Sequence, residues 1–110
     1  MDNPYRELEI SQLVKKAEDN DSQAIYQLGL HYYDYGDIPF ALRWLEKGII
    51  LGNLECYHLA AKFYFYGWGC ELNYQKAFNY WKHNALQGDS RAQFLIAEIL
   101  YLVRVYLHQC

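Results

Sequence analysis

The sequence predicts an all-α protein, a short right-handed α/α solenoid built from helix–turn–helix repeats. Three observations predict this fold. Apolar and small residues recur four positions apart, which is the spacing of one face of a helix. A similar pattern of residues returns after 32 and then after 36 positions. Only two prolines, Pro4 and Pro39, occur in 110 residues, beside twelve tyrosines, so the chain is not predicted to be disordered.

The first element is a capping helix, predicted over residues 5–19. Asn3 and Pro4 suit the N-cap and the first helical position. The acidic side of this helix is expected to face water. Its apolar side would be formed by Leu8, Leu13, Val14 and Ala17.

The first complete repeat is predicted at residues 21–52. Asp21 suits an N-cap, and Gly52 suits the end of the second helix. Gly29 lies beside the packing stripe, where a small residue lets two helices approach closely. The stripe of the first helix consists of Ala24, Leu28 and Tyr32, and the second helix carries Ala41, Trp44, Leu45 and Gly48.

A second repeat is predicted at residues 53–88, and a C-terminal half-repeat at residues 89–108. Asp21 aligns with Asn53 at an offset of 32, whereas Gly52 aligns with Gly88 at an offset of 36. The first repeat is therefore four residues shorter than the second. The alignment predicts that the difference lies between the two helices of the repeat.

The stretch FYFYGWGC, residues 63–70, allows several interpretations. Its glycines could hold a phosphate, its cysteine could bind a metal or attack a substrate, and its aromatic rings could stack on a base. A phosphate loop would follow a strand and contain Gly-Lys-Ser/Thr, and neither feature is present. We therefore interpret the stretch as the end of a helix followed by a turn at Gly67-Trp68-Gly69.

The segments LGLHYYDYG, ALRWLEKG and AAKFYFYGWGCELNYQKAFNYW, with ALQGDSRAQ, resemble the Sel1-like repeat, a relative of the tetratricopeptide repeat. The resemblance covers roughly residues 20–101. Cys70 stands where this family usually has Val, and the first repeat lacks the Gly-x-Gly loop. The resemblance implies a helical solenoid that scaffolds protein complexes. The residues that fit the family pattern are Gly67, Gly69, Lys76, Ala77, Tyr80, Ala85 and Gly88.

Charge and composition argue against several functional classes. The net charge is −3, with no basic stripe, so we expect no nucleic-acid partner. No apolar run reaches the roughly 20 residues of a membrane span, so no membrane association is expected. The charged N-terminus is unlike a secretory signal, which predicts a cytoplasmic location. No metal site and no cofactor are predicted, because no recognisable ligand spacing surrounds His31, His58, His83 or His108.

The three cysteines are expected to be free thiols. Cys56 occupies a small-residue core position, and Cys70 replaces an apolar loop residue. Along a helix ending near Tyr66 the two would lie roughly 15 Å apart, too far for a disulfide. Cys110 is terminal and is expected to be exposed.

The helix faces opposite the packing stripe form the predicted partner-binding surface. The first helices of stacked repeats line the inner curve of a solenoid, so these faces should be continuous. The alternative is that Tyr33, Phe65 and Tyr101 only pack at helix ends. The predicted surface consists of Gln23, Tyr26, Leu30, Tyr33, Glu55, His58, Lys62, Phe65, Arg91, Phe94, Glu98 and Tyr101.

We expect a protein–protein interaction module and not an enzyme. It could serve as an adaptor or an inhibitor, for example an immunity protein that neutralises a toxin. The alternative is a hydrolase of β-lactam-like substrates, as linked to cysteine-rich relatives, with Glu55 and His58 as an acid–base pair. The apolar residues 99–107 predict a homodimer through the C-terminal helix, or part of the docking site for the partner protein.

Overall fold

Six helices make up the regular structure of the described chain. The structure, a computed structural model, describes residues 9–109. The helices are α1 (Ile10–Glu18), α2 (Ser22–Asp34), α3 (Ile38–Ile50), α4 (Leu54–Tyr66), α5 (Tyr74–Leu86) and α6 (Ser90–Leu107). The predicted capping helix corresponds to α1 from residue 10 onward. Its predicted beginning, including Asn3, Pro4 and Leu8, lies outside the described residues, as does Cys110.

The helices stack in chain order. Each one packs against the helix before it and the helix after it, and α2 also contacts α4. The array measures 54 × 28 × 24 Å, so it is about twice as long as it is wide. This arrangement confirms the predicted all-α solenoid of helical repeats.

The helix starts follow from side-chain chemistry. The caps of α2, α4 and α6 are Asp21, Asn53 and Asp89, as predicted, and each side chain accepts hydrogen bonds from backbone N–H groups of the first turn. Asp37 and Asn73 cap α3 and α5 in the same way. Each such cap satisfies donors that the helix cannot satisfy itself, which is worth about 1 kcal/mol.

One short junction recurs through the array. A residue with positive φ stands directly before an Asp or Asn cap at four helix boundaries. The four positive-φ residues are Asn20 (65°), Gly36 (85°), Gly52 (81°) and Gly88 (89°). In each case the N–H of the capping residue reaches back to a carbonyl near the end of the preceding helix, as Asn53 does to Gly48 at 3.0 Å. The junction therefore ends one helix and begins the next within three residues.

The loop inside the second repeat is different. Residues 35–37 join α2 to α3, whereas residues 67–73 join α4 to α5, so the second loop is four residues longer. Gly67 ends α4 with φ of 66°, and Gly69 follows with φ of 63°. A Cβ on Gly69 would collide with Ile38. The interpretation of FYFYGWGC as a helix end and a turn is confirmed, and the four extra residues lie where the repeat alignment predicts them.

The core runs along the middle of the stack. Fully buried side chains include Ile25 and Leu28 of α2, Leu45 of α3, and Phe63 of α4. A Cβ built on Gly29 would lie 2.5 Å from Cδ2 of Leu45, so the missing side chain is what lets α3 approach α2. The prediction that small residues beside the stripe serve close helix packing therefore holds for α2.

Two of the cysteines lie within the described residues, and both are free thiols, as predicted. Cys56 is fully buried, and burial raises its pKa to about 12, with a smaller contribution from Glu55. Cys70 is partly buried, its Sγ lies 3.5 Å from the carbonyl oxygen of Phe63, and burial raises its pKa as well. A thiol with a raised pKa is a poor nucleophile at neutral pH.

Candidate functional site

The twelve residues of the predicted partner-binding surface lie on the first helices of the repeats. α2, α4 and α6 carry four each. The four on α6 are exposed, whereas those on α4 are all half-buried, and on α2 only Gln23 is exposed. The predicted surface therefore becomes more open towards the C-terminal end of the array.

A charged bridge connects α4 to the start of α6. Nη2 of Arg91 lies 2.7 Å from Oε1 of Glu55 and 3.0 Å from Oδ2 of Asp89. These contacts lower the pKa of Asp89, chiefly through its hydrogen bond with Arg91, and raise that of Arg91. Because the Arg91 and Glu55 side chains are nearly half exposed, the pair contributes only about 0.2–1 kcal/mol. Its main effect is to hold the two side chains in place.

A cleft of about 390 Å³ opens between α4 and α6, and residues of α4, α5 and α6 line it. Four members of the predicted surface meet there: His58, Lys62 and Phe65 from α4, and Glu98 from α6. The remaining lining residues are Tyr66, Trp81, Leu95, Ile99 and Leu102.

His58 is held in one protonation state at the edge of this cleft. The indole Nε1 of Trp81 donates a hydrogen bond to Nδ1 of His58 at 3.1 Å. Since an indole N–H can only donate, Nδ1 is unprotonated, and the neutral ring carries its proton on Nε2. Burial lowers the pKa of His58, and the positive charges of Arg91 and Lys62 lower it further, against the opposing effect of Glu55 and Asp89. At neutral pH, His58 is therefore an uncharged hydrogen-bond donor through Nε2.

Apart from His58, the cleft is lined by apolar side chains and by two groups of opposite charge. Trp81 is almost fully buried, and the rings of Phe65 and Trp81 lie 5.4 Å apart. Lys62 stands on α4 and Glu98 on α6, so the two helices contribute one positive and one negative group. Such a cleft can enclose an apolar side chain and orient the polar groups beside it.

Contacts between aromatic rings test the alternative that Tyr33, Phe65 and Tyr101 only pack at helix ends. The ring of Tyr33 lies 5.4 Å from that of Phe63 and stacks on Trp68 at 6.0 Å. Phe65 contacts Tyr74 as well as Trp81, and it also lines the cleft. Packing against neighbouring rings therefore accounts for the position of Tyr33. Phe65 both packs against neighbouring rings and lines the cleft. Tyr101 is 66% exposed, so burial does not explain it.

Five lining residues were missed by reasoning from the sequence. Trp81 belongs to α5, the second helix of its repeat, and the others lie on α4 and α6 beside the predicted surface. Trp81 reaches the cleft through the gap between two first helices, and no pattern along the chain marks where such a gap opens. The five are Tyr66, Trp81, Leu95, Ile99 and Leu102.

The Glu55–His58 pair considered for a hydrolase has other partners in the structure. Both carboxylate oxygens of Glu55 accept from Arg91, at 2.7 and 3.3 Å. His58 uses Nδ1 to accept from Trp81. Glu55 and His58 are therefore each engaged by a different residue and not by one another.

Comparison with known proteins adds a structural relative. No protein-family model matches the chain, and no curated protein sequence matches it. Among solved structures, the chain is similar to a Sel1 repeat protein from Oxalobacter formigenes, with a TM-score of 0.74 and 25% sequence identity. The match covers 84% of this chain and 74% of the relative. The chain folds as a Sel1-like repeat protein.

This finding confirms the resemblance inferred from the residues. Sel1-like repeats are helical-repeat modules for protein interaction in general, and the stacked helices of this chain fit that description. Across residues 9–109, no helix is both long enough and apolar enough to cross a membrane.

Proposed function

We propose that this Sel1-like repeat protein binds a segment of another protein in the cleft between α4 and α6. The observation that carries the proposal is the cleft itself, which has an apolar floor and charges of opposite sign contributed by its two helices. Its volume of about 390 Å³ is within the usual range for a specific pocket. The cleft has room for one large apolar side chain and its neighbours.

The lining residues indicate the chemistry of the segment. An aliphatic or aromatic side chain would lie against Phe65 and Trp81. A basic residue beside it would pair with Glu98, and an acidic residue on the other side would pair with Lys62. The Nε2–H of His58 is available to donate to a backbone carbonyl. Paired charges of this kind contribute more to selectivity than to affinity.

The remaining members of the predicted surface form a wider rim in this proposal. Glu55 and Arg91 hold the N-terminal ends of α4 and α6 together, and the more exposed Phe94 and Tyr101 extend the surface along α6. The protein would then act as an adaptor or as an inhibitor that covers its partner, such as a toxin-neutralising immunity protein. A cytoplasmic location is part of the same proposal.

We also propose that the chain associates with a second copy through α6. This helix has 18 residues, whereas α2 and α4 have 13 each. Its last two turns carry a series of exposed apolar side chains: Leu100, Tyr101, Leu102, Val103, Val105, Tyr106 and Leu107. So much adjacent apolar surface favours a protein contact.

A random peptide library displayed on phage tests the cleft. The wild-type chain should select peptides in which an apolar residue has a basic neighbour on one side and an acidic neighbour on the other. The double variant Lys62→Glu/Glu98→Lys should select the reversed charge order. The matched control is Asp34→Lys/Arg43→Glu, which exchanges two exposed charges on α2 and α3 without changing the net charge and should keep the wild-type order. Selected peptides that bind the wild type and the cleft variant equally would refute the site.

A further inference from the structure

The first residues of α2 and α4 are each bound by an asparagine amide, but the two asparagines differ in position. Nδ2 of Asn53 donates to the carbonyl oxygen of Ser22, where α2 begins, at 3.3 Å. Nδ2 of Asn84 donates to the carbonyl oxygen of Leu54, where α4 begins, at 2.8 Å. Ser22 and Leu54 are 32 residues apart and are equivalent in the repeat. The same carbonyl is therefore bound in both repeats, with the donor at a different place.

The donor changes because the cap changes. Asn53 caps α4 with its side-chain oxygen and still has its amide NH₂ group to donate. Its equivalent Asp89, which caps α6, is a carboxylate and can only accept. Asn84 supplies the missing N–H from the end of α5, and its Nδ2 also lies 3.3 Å from Oδ2 of Asp89. Asn84 is fully buried, so its amide group bonds within the protein.

Neighbouring side chains leave room for this exchange. Gly48 is the equivalent of Asn84 in the first repeat, and a Cβ on Gly48 would collide with Sγ of Cys56. The equivalent of Cys56 in the second repeat is Ala92, which is fully buried and has no side-chain atom beyond Cβ. Two matched sets of three residues, 36 positions apart, therefore build the two junctions: Gly48, Asn53 and Cys56 form the first set, and Asn84, Asp89 and Ala92 form the second set.

The aspartate of the second set holds Arg91 through both of its oxygens. Nε of Arg91 lies 3.2 Å from Oδ1 of Asp89, and Nη2 lies 3.0 Å from Oδ2. These two parallel bonds match the fork of the guanidinium, and an asparagine, with a single side-chain oxygen, cannot form both. The other two side-chain bonds of Arg91 go to Glu55. Asp89 therefore contributes half of the bonds that orient this guanidinium.

We propose that Asp89 and Asn84 are positioning residues for the partner-binding surface. Asp89 fixes the guanidinium of Arg91 one turn before Leu95 of the cleft, and Asn84 makes the bond between helices that an asparagine cap would otherwise make. The Arg91 side chain is 46% exposed, so a partner meets a guanidinium that already has one orientation. A side chain ordered in advance loses less conformational entropy when the partner binds. The effect on binding rests on the proposed function of the cleft, whereas the exchange between the two sets does not.

Stability measurements test the exchange between the sets. Asn84→Gly should lower the urea midpoint, because the buried carbonyl of Leu54 loses its donor. Asp89→Asn should lower it as well, because the new NH₂ group would face that of Asn84. The triple variant Asn84→Gly/Asp89→Asn/Ala92→Cys copies the first set, so it should be more stable than the sum of the three single changes predicts. Losses that simply add would overturn the exchange.

Peptide affinity tests the positioning of Arg91. The probe is a synthetic peptide selected from the phage library by the wild type. Asp89→Asn and the triple variant should each raise its Kd about three- to tenfold, because Arg91 loses its carboxylate fork in both. The matched control is Asp37→Asn, the same change at the cap of α3, a helix that does not line the cleft, and it should leave the Kd unchanged. A triple variant that is stable and binds as tightly as the wild type would overturn the role of Asp89.

An NMR signal separates this inference from the proposed function. The Nε–H of Arg91 donates to Asp89, so its proton should exchange slowly with water in the wild type. In Asp89→Asn it should exchange faster, at a rate closer to that of the exposed Arg43. If the wild type selects no peptide with the expected charge order, the cleft proposal fails, and this signal still tests the positioning. An Nε–H of Arg91 that exchanges equally fast in the wild type and in Asp89→Asn would overturn it.

Discussion

The indole of Trp81 donates its N–H to the imidazole of His58 at 3.1 Å, and this bond links α5 to α4 at the edge of the cleft. The bond exists only while Nδ1 of His58 is unprotonated. It therefore connects the packing of α5 against α4 to the protonation state of one side chain, and NMR titration and unfolding measurements can detect that connection.

Replacement of Trp81 by Phe should raise the pKa of His58. The hydrogen bond from the indole stabilises the neutral ring, so its loss makes protonation easier. An NMR titration of the imidazole Cε1 proton measures the pKa directly. The variant should also lose about 0.5–1.5 kcal/mol of unfolding free energy for the missing bond.

Stability should fall at mildly acidic pH, in part because of His58. Its pKa is lowered in the folded chain, mainly by burial, so the unfolded chain binds the proton more readily. The unfolding free energy should therefore decrease as the pH drops through the ordinary histidine pKa of about 6.5, and this contribution should level off below the folded pKa. Urea midpoints at pH 7.5 and 5.5, compared between the wild type and His58→Gln, isolate the effect. An equal decrease in both proteins would show that other groups cause it.

Gly29→Ala should destabilise the fold although alanine favours helices. The gain in helix propensity is at most about 1 kcal/mol, whereas the added Cβ collides with Leu45 and overpacking costs about 1–3 kcal/mol. Thermal unfolding measures the net loss. In the Leu45→Ala background the clash is absent, so the same Gly29→Ala change should become neutral or stabilising. Additive effects of the two substitutions would mean that the helices do not meet at these residues.

Cys56 should react with thiol reagents only when the protein unfolds. The residue is fully buried, and with a pKa of about 12 only about one thiol in ten thousand is ionised at pH 8. Native labelling should be slow, and its rate should follow the unfolding rate when urea is added. Mass spectrometry of peptides distinguishes Cys56 from the less buried Cys70. Rapid modification of native Cys56 would contradict the packing of α4 against α3.

The chain should not hydrolyse a chromogenic β-lactam. Arg91 engages both carboxylate oxygens of Glu55, and Trp81 occupies Nδ1 of His58, so the two side chains are bound to other residues and not to each other. The purified wild type, Glu55→Ala and His58→Ala should give the same background rate. A wild-type rate above background that both substitutions abolish would restore the hydrolase alternative.

Much of this architecture could be predicted from the residues. The spacing of four and the offsets of 32 and 36 identify the helices, their caps and the longer loop, because these features depend on local chemistry. His58, Lys62, Phe65 and Glu98 were placed on the binding surface for the same reason, since the face of a helix can be calculated from its sequence.

The floor of the cleft could not be found in this way. Trp81 belongs to a second helix, and its position between α4 and α6 depends on how far those helices separate. That distance results from the packing of many side chains in three dimensions. Leu95 and Ile99 line the same cleft between α4 and α6. Their place in the helical pattern of α6 indicates partial burial but not that they face a cleft.

The positive-φ junction has a consequence for how the molecule is built. Asn20, Gly36 and Gly52 follow one another at intervals of 16 residues, so the junction inside the first repeat is the same as the junction between repeats. The repeating unit is thus one 13-residue helix with a three-residue connector. A helix pair is two such units in succession. Residues 67–73 are then an insertion in an otherwise uniform series. Shortening that loop to three residues should therefore leave the helices on either side with their caps. The same is expected when helix units are joined in a new order at any of these connectors.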